Sequence, residues 1–308
     1  MNNPIRIDTR PEPKYRDTLF RMIFGGKDEK SARWRMELYN ALSGRKHTNP
    51  ADLELTTIEN VIYITMKNDI SFLVDSQMTL YEHQSTVNLN MPLRGLMYFA
   101  QLYQIYLTKK GKDLFGGLVK IPTPQYVVFY NGDTNKPARY KIKLSEAFDF
   151  PSENETTKNE KIADYEWTAN VININSEHNK TLQNNCKPLY DYISYVNRVK
   201  VNQKSGMDIK SAVNEAVNWA INKNLLAGFF NEQKAEVTAM SLTEFDQELY
   251  DKNRREEAYE EGARDKAIEA AKTLLCMNVL TIEQIAQAEK LSIDEVNQLA
   301  IEIQKDLK

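Results

Sequence analysis

Three polar side chains in the stretch NDISFLVDSQMTLYEHQST (68–86), Asp69, Glu82 and Gln84, have the types and spacing of a hard-oxygen site. Ile70, Phe72 and Val74 alternate with Asp69, Ser71, Leu73 and Asp75, and a break at Ser76-Gln77 follows. Beyond it, Leu80, Glu82 and Gln84 share one face and Tyr81 and His83 the other. This is the pattern of two strands joined by a tight turn. Side chains two apart point the same way, and the start of the first strand meets the end of the second. Two carboxylates and an amide can therefore converge at one end of a hairpin. Carboxylates with nearby carbonyls and water suit Mg²⁺ or Mn²⁺. An ion so held neutralises a phosphodiester oxygen and lowers the pKa of bound water. An exposed hairpin alternates in the same way, so periodicity leaves a solvated face and a site both open.

Elements on either side must position these residues. YRDTLFRMIF and SARWRMELYNAL carry apolar residues at helical spacing, with Trp34, Leu38, Ala41 and Leu42 on one face and Gly44 as C-cap. LELTTIENVIYITM (53–66) is strand-like. After the hairpin, MPLRGLMYFAQLYQIYLTKKG predicts a helix. Pro92 sits in its first turn, Leu96, Phe99, Tyr103, Tyr106 and Leu107 form its apolar face, and Gly111 ends it. QYVVFYNGD reads as a strand buried on both sides, ending in an Asn-Gly turn. PSENETTKNE (151–160) is a polar loop, and WTANVININ is a further strand. From Lys187 the pattern is helical to the end. This order predicts an α/β fold, a sheet with helices on it.

The chain has 308 residues, 42% apolar and 27% charged, with a net charge of −3, so contact with nucleic acid would have to come from local basic patches. Two such clusters occur, Lys109, Lys110, Lys112 and Lys120, then Lys136, Arg139, Lys141 and Lys143. Ordinary solvated charge explains each equally well. Cys186 and Cys276 are far apart and lack partners at metal-ligand spacing, which argues against a disulfide framework or a zinc finger. No signal-peptide core follows the polar start, and the apolar runs are too short to span a bilayer. The expectation is a cytoplasmic protein without a membrane partner.

Residues 1–13 read as an extended arm, 204–250 as a helical extension and 251–308 as a helical tail. Within the tail, TIEQIAQAEKLSIDEVNQL resembles a helix-turn-helix, with Lys290 where that motif usually has Gly. Its second helix is acidic, which phosphates would repel, so a hairpin that packs or dimerises is the preferred reading.

Around the hairpin, NDISFLVD…LYEHQSTVNLNMPLRGLMYFAQLY and VVFYNGDTNKPARYKIKLSEAF resemble the Rpn family of recombination-promoting nucleases, also labelled transposases. That family is a branch of the PD-(D/E)XK nuclease superfamily. YRDTLFRMIFG, WTANVININSEHNKTLQNNCKPLYDY and the helical tail extend the likeness over most of the chain. The resemblance implies a restriction-endonuclease-like core over 14–203, a mixed sheet flanked by helices, and Mg²⁺-dependent endonuclease activity on DNA. Asp69 matches the first acid and Glu82 the second, both metal ligands, with the main-chain carbonyl of His83 a third contact. Gln84 stands where the superfamily more often has Lys. An amide can orient water or a phosphate oxygen but supplies no full charge, so the general base stays open. Asn68 holds the place of the motif's Pro.

Glu37, on the first long helix, matches an acid that reaches the metal in many relatives, against a solvated helix residue as the alternative. Asp17 reads as a helix cap. The His83 side chain, on the face away from Glu82, reads as packed. Arg94 opens the helix bordering the site, to contact the scissile phosphate or form a salt bridge, and Tyr98 lies one turn further on the same face. The helical C-terminal region implies a homo-oligomer. A catalytically inactive DNA-binding or interaction module with the same fold is the competing function.

Overall fold

The computed structural model describes residues 18–56, 69–148, 165–277 and 280–306. The expected arm, Asp17, Asn68, the polar loop at 151–160 and most of the strand expected over 53–66 lie outside them. The fold is mixed α/β. Strands β1 (Glu54–Leu55), β2 (Ile70–Val74), β3 (Gln77–Gln84), β4 (Thr123–Tyr130), β5 (Arg139–Lys143) and β6 (Thr168–Asn173) form one sheet. Its order is β1-β2-β3-β4-β6-β5. β3–β4 and β4–β6 pair in parallel and the other neighbours antiparallel. Helices α1 (Leu19–Phe24) and α2 (Glu29–Ser43) precede the hairpin, and α3 (Met91–Lys109) makes the crossover between the parallel pair β3 and β4. α4 (Lys180–Asn185), α5 (Lys187–Lys204), α6 (Ile209–Asn222), α7 (Phe229–Glu232) and α8 (Lys234–Met277) follow, then α9 (Ile282–Glu289) and α10 (Ile293–Asp306).

The hairpin turn is Asp75-Ser76, one residue earlier than the expected break. Both residues have positive φ, 47° and 59°. That is the backbone of the primed two-residue turn whose twist matches paired strands. Neither residue is glycine, so tertiary contacts hold it: Arg45 Nη1 donates to Asp75 Oδ2 at 2.7 Å, and His47 Nε2 lies 2.7 Å from the same oxygen. The turn sets the register, Val74 opposite Gln77 through Ile70 opposite Tyr81.

Both faces of the sheet are covered. On one, Ile70, Phe72, Val74, Tyr81 and Phe129 pack with α1, α2, α5 and α6 in the larger core. On the other, Met78, Leu80, Tyr126 and Val128 pack with Tyr98, Phe99 and Leu102 of α3. The buried line of α3 differs from the expected one. Leu96, Tyr103, Tyr106 and Leu107 are only half-buried, whereas Met91, Gly95, Tyr98, Phe99 and Leu102 face the sheet. Gly95 is the cause: a Cβ there would sit 2.3 Å from the Tyr126 ring. Its absence lets the helix rest on that ring. Gly44 ends α2 at φ 72°, as the helix-stop pattern predicts.

The chain divides into two compact units between Phe245 and Asp246. The segment expected as an extension belongs to the first as far as Phe245: Val213, Val217, Phe230 and Val237 share the larger core with the sheet. In the second, Ala271, Ile285, Ala286, Val296 and Leu299 form a separate small core. Thr281 and Gln284 make a capping box at the start of α9, and Lys290 ends that helix at φ 55°. Among the described residues no helix is long and apolar enough to cross a membrane.

Candidate active site

The register that begins at the turn carries on past Ile70–Tyr81 and sets Asp69 beside Glu82. The two carboxylates are tied to each other's strands. Glu82 Oε1 accepts the Asp69 N–H at 3.2 Å, and Asp69 Oδ2 accepts the His83 N–H at 2.6 Å. A slip of one residue would carry Glu82 to the opposite face. Glu82 is 1% exposed. Arg94, from the first turn of α3, donates through Nη2 to Glu82 Oε2 at 3.2 Å and to the Tyr98 hydroxyl at 3.2 Å. The one-turn spacing of Arg94 and Tyr98 thus lets the Tyr98 hydroxyl hold the guanidinium that meets Glu82. Tyr126 anchors the start of that helix by donating to the Met91 carbonyl at 3.2 Å.

Burial pushes the Glu82 pKa up to about 8, and the charge of Asp69 adds to the shift. Arg94, the Asp69 N–H and Arg21 of α1 oppose it. Burial also raises the Tyr126 hydroxyl well above its usual range, with Glu82 contributing. Arg21 and Tyr126 escaped the sequence reading. Arg21 lies on a short helix whose pattern signals only packing, and Tyr126 lies in an apolar strand run.

His83, the neighbour of Glu82, points the other way. Its ring stacks on Phe20, centroids 5.3 Å apart, and its Nε2 lies 2.9 Å from the Tyr192 hydroxyl. Burial drives its pKa down to about 3, with the Lys200 charge adding to the shift and an Asn131 hydrogen bond opposing it. The side chain is a neutral core histidine. Gln84 ends β3, half-buried, and its carbonyl accepts the Asn131 N–H at 3.2 Å. Strand alternation puts its side chain on the Glu82 face.

Glu37 is not brought to this cluster. It lies on α2, which packs against the opposite face of the sheet, and its charge acts there on the buried thiol of Cys186. Burial raises the Glu37 pKa as well. Among the described residues no group of three or more His, Cys, Asp or Glu is arranged to hold a metal ion. At the hairpin the protein offers two carboxylates, Asp69 and Glu82. That number fits Mg²⁺, which takes one or two carboxylates and keeps waters or substrate oxygens for its other positions.

No family model, no curated protein and no solved structure matches the chain.

Proposed function

We propose that the protein is a divalent-metal-dependent endonuclease that hydrolyses phosphodiester bonds in DNA, in the setting of recombination or mobile elements. One observation carries the reading: a carboxylate 1% exposed is held beside a second carboxylate. A fold that needed only stability at this point would place an apolar side chain there, because burying like charges together is costly. The likeness of the surrounding segments to the Rpn nucleases supports the same chemistry.

In this reading Asp69 and Glu82 hold Mg²⁺ or Mn²⁺, and the main-chain carbonyl of His83 completes the protein's share. The bound ion supplies charge neutralisation at the phosphate and an acidified water. Asp69 is oriented by the His83 N–H, and Glu82 by the Asp69 N–H. Glu82 must lose its proton before it can serve as a ligand. Arg94 stabilises its anion and lies where a phosphate oxygen could also be met. Gln84 orients water or a phosphate oxygen by hydrogen bonds alone. We assign the second unit to self-assembly, supported by Ile293 and Ile301, both about half exposed on α10, and we place the protein in the cytoplasm.

A catalytically inactive DNA-binding module is favoured by one observation: Glu82 already has a cationic partner in Arg94. Supercoiled plasmid with Mg²⁺ or Mn²⁺ separates the two. The nuclease reading expects nicking by the wild type and none by Asp69→Ala/Glu82→Ala. Equal nicking by both proteins would sink it, and a retained gel shift without nicking by either would select the inactive module.

A further inference from the structure

The sheet carries a second polar patch, on the face away from Glu82. Beyond the C-terminal end of α2, one row of paired residues crosses the sheet: Tyr81, Val127, Asn170 and Lys141. Thr79 and Gln125 form the pair beside it, and Arg139 lies two residues from Lys141 on the same strand. Neighbouring strands are about 4.8 Å apart and same-face residues about 7 Å, so these side chains form one continuous floor. Gln125, Arg139, Lys141 and Asn170 are exposed. The result is a groove of about 490 Å³, walled by Tyr39, Leu42 and Ser43 of α2. This is the size of an ordinary small-ligand site.

The chemistry of the lining is selective. Among the described residues no carboxylate lines the groove, whereas Arg139 and Lys141 do. Asn179 Oδ1 accepts from Arg139 Nε at 3.2 Å, which steadies the guanidinium and leaves its two terminal nitrogens for other acceptors. Three amides share the lining with them. Gln77 Oε1 accepts from the Tyr39 hydroxyl at 3.2 Å, so its amide nitrogen is turned out as a donor. Asn170 Nδ2 donates to the Tyr126 carbonyl at 3.2 Å, so its oxygen is turned out as an acceptor. Thr79 is 1% exposed, and its Oγ1 has no hydrogen-bond partner among the described residues. A buried hydroxyl without a partner costs about 1–3 kcal/mol.

We propose that this groove binds a nucleotide, free or within a single strand, with its phosphate on Arg139 and Lys141 and its base edge against Gln77, Gln125 and Asn170. Paired cations match a phosphate. Amide side chains, each able to donate and accept, match the edges of a base. The apolar floor at Val127 and wall at Leu42 match its face. The site is independent of the carboxylate pair, since Glu82 lies on the other face of the sheet.

The test is metal-free binding in EDTA, by calorimetry with deoxymononucleotides and by anisotropy with a labelled thymidine oligonucleotide. Wild type binds one or both, and the arm that binds names the source. Asp69→Ala/Glu82→Ala binds as the wild type does, so loss of nicking leaves this inference standing. Arg139→Glu/Lys141→Glu weakens binding at least about tenfold, and removing two phosphate-binding cations flattens the log–log salt slope by about 1.4. Gln125→Ala, at an exposed position, weakens binding with the melting temperature unchanged. The inference is overturned if wild type binds neither ligand. It also falls if the charge-reversed protein, folded by circular dichroism, binds equally well, or if polyglutamate binds as tightly as the nucleotide.

Discussion

Glu82 and His83 are adjacent in the chain and on opposite faces of one strand, and each is almost completely buried. Burial favours the neutral form of both. It moves Glu82 up to about 8 and His83 down to about 3. The surroundings then diverge. Glu82 has charge beside it on both sides, Asp69 and Arg94. The His83 ring rests against Phe20 and a tyrosine hydroxyl, with Glu244 Oε1 3.8 Å from its Nδ1 and the Lys200 charge acting on it. A buried group that is simply packed ends with its hydrogen bonds satisfied, as His83 does. Glu82 is an acid set beside a like charge, Asp69, a cost that packing does not explain, and that distinguishes the candidate site from the core behind it.

The largest expected difference is in activity. Glu82→Gln should reduce plasmid nicking by more than about 100-fold, whereas Tyr192→Phe, which touches only the histidine side, should leave it within about threefold. Comparable losses in both would remove the distinction between the two faces. The same Glu82→Gln change should stabilise the protein by a few kcal/mol at pH 9 and by little at pH 5, as measured by urea unfolding. The sign follows from the raised carboxyl. Its contribution is fully present below about pH 4.5 and is lost as pH rises through about 8. For His83 the direction reverses, with stability present above about 6.5 and lost as pH falls through about 3.

Arg94→Ala leaves the Glu82 anion without its cation. We expect a loss of about 3 kcal/mol at pH 9 and about 1 kcal/mol at pH 6, where Glu82 already carries its proton. An equal loss at both pH values would mean that Arg94 acts by packing. Gly95→Ala should cost about 2 kcal/mol in urea unfolding by pushing α3 off the Tyr126 ring. The smallest effect is on the histidine side: Tyr192→Phe gives up the 2.9 Å contact with His83 Nε2 for about 1 kcal/mol, seen as a small shift of the urea midpoint.

Much of this arrangement was legible in the residues. Alternation placed Asp69 and Glu82 on one face and His83 on the other, because the strand period is two and does not depend on neighbours. Pro92 and Gly44 marked helix ends through backbone restrictions of their own. The turn at Asp75-Ser76 was harder, since only Asp75 tolerates positive φ readily, no glycine follows it, and the contacts that hold it come from Arg45 and His47, about thirty residues away. The buried line of α3 shares Phe99 with the expected one and departs from it elsewhere for a related reason. Counting apolar residues gives no weight to Gly95, whose contribution is the side chain it lacks.

The sequence by itself determined the alternating face, the helix ends and the residue types able to hold a hard cation, all local properties of the chain. Only the tertiary structure decided that Glu82 is buried, that Arg94 reaches it while Glu37 lies across the sheet, and that residues from four strands line one groove. Those outcomes depend on which segments pack together, and desolvation and charge proximity have no value until they do.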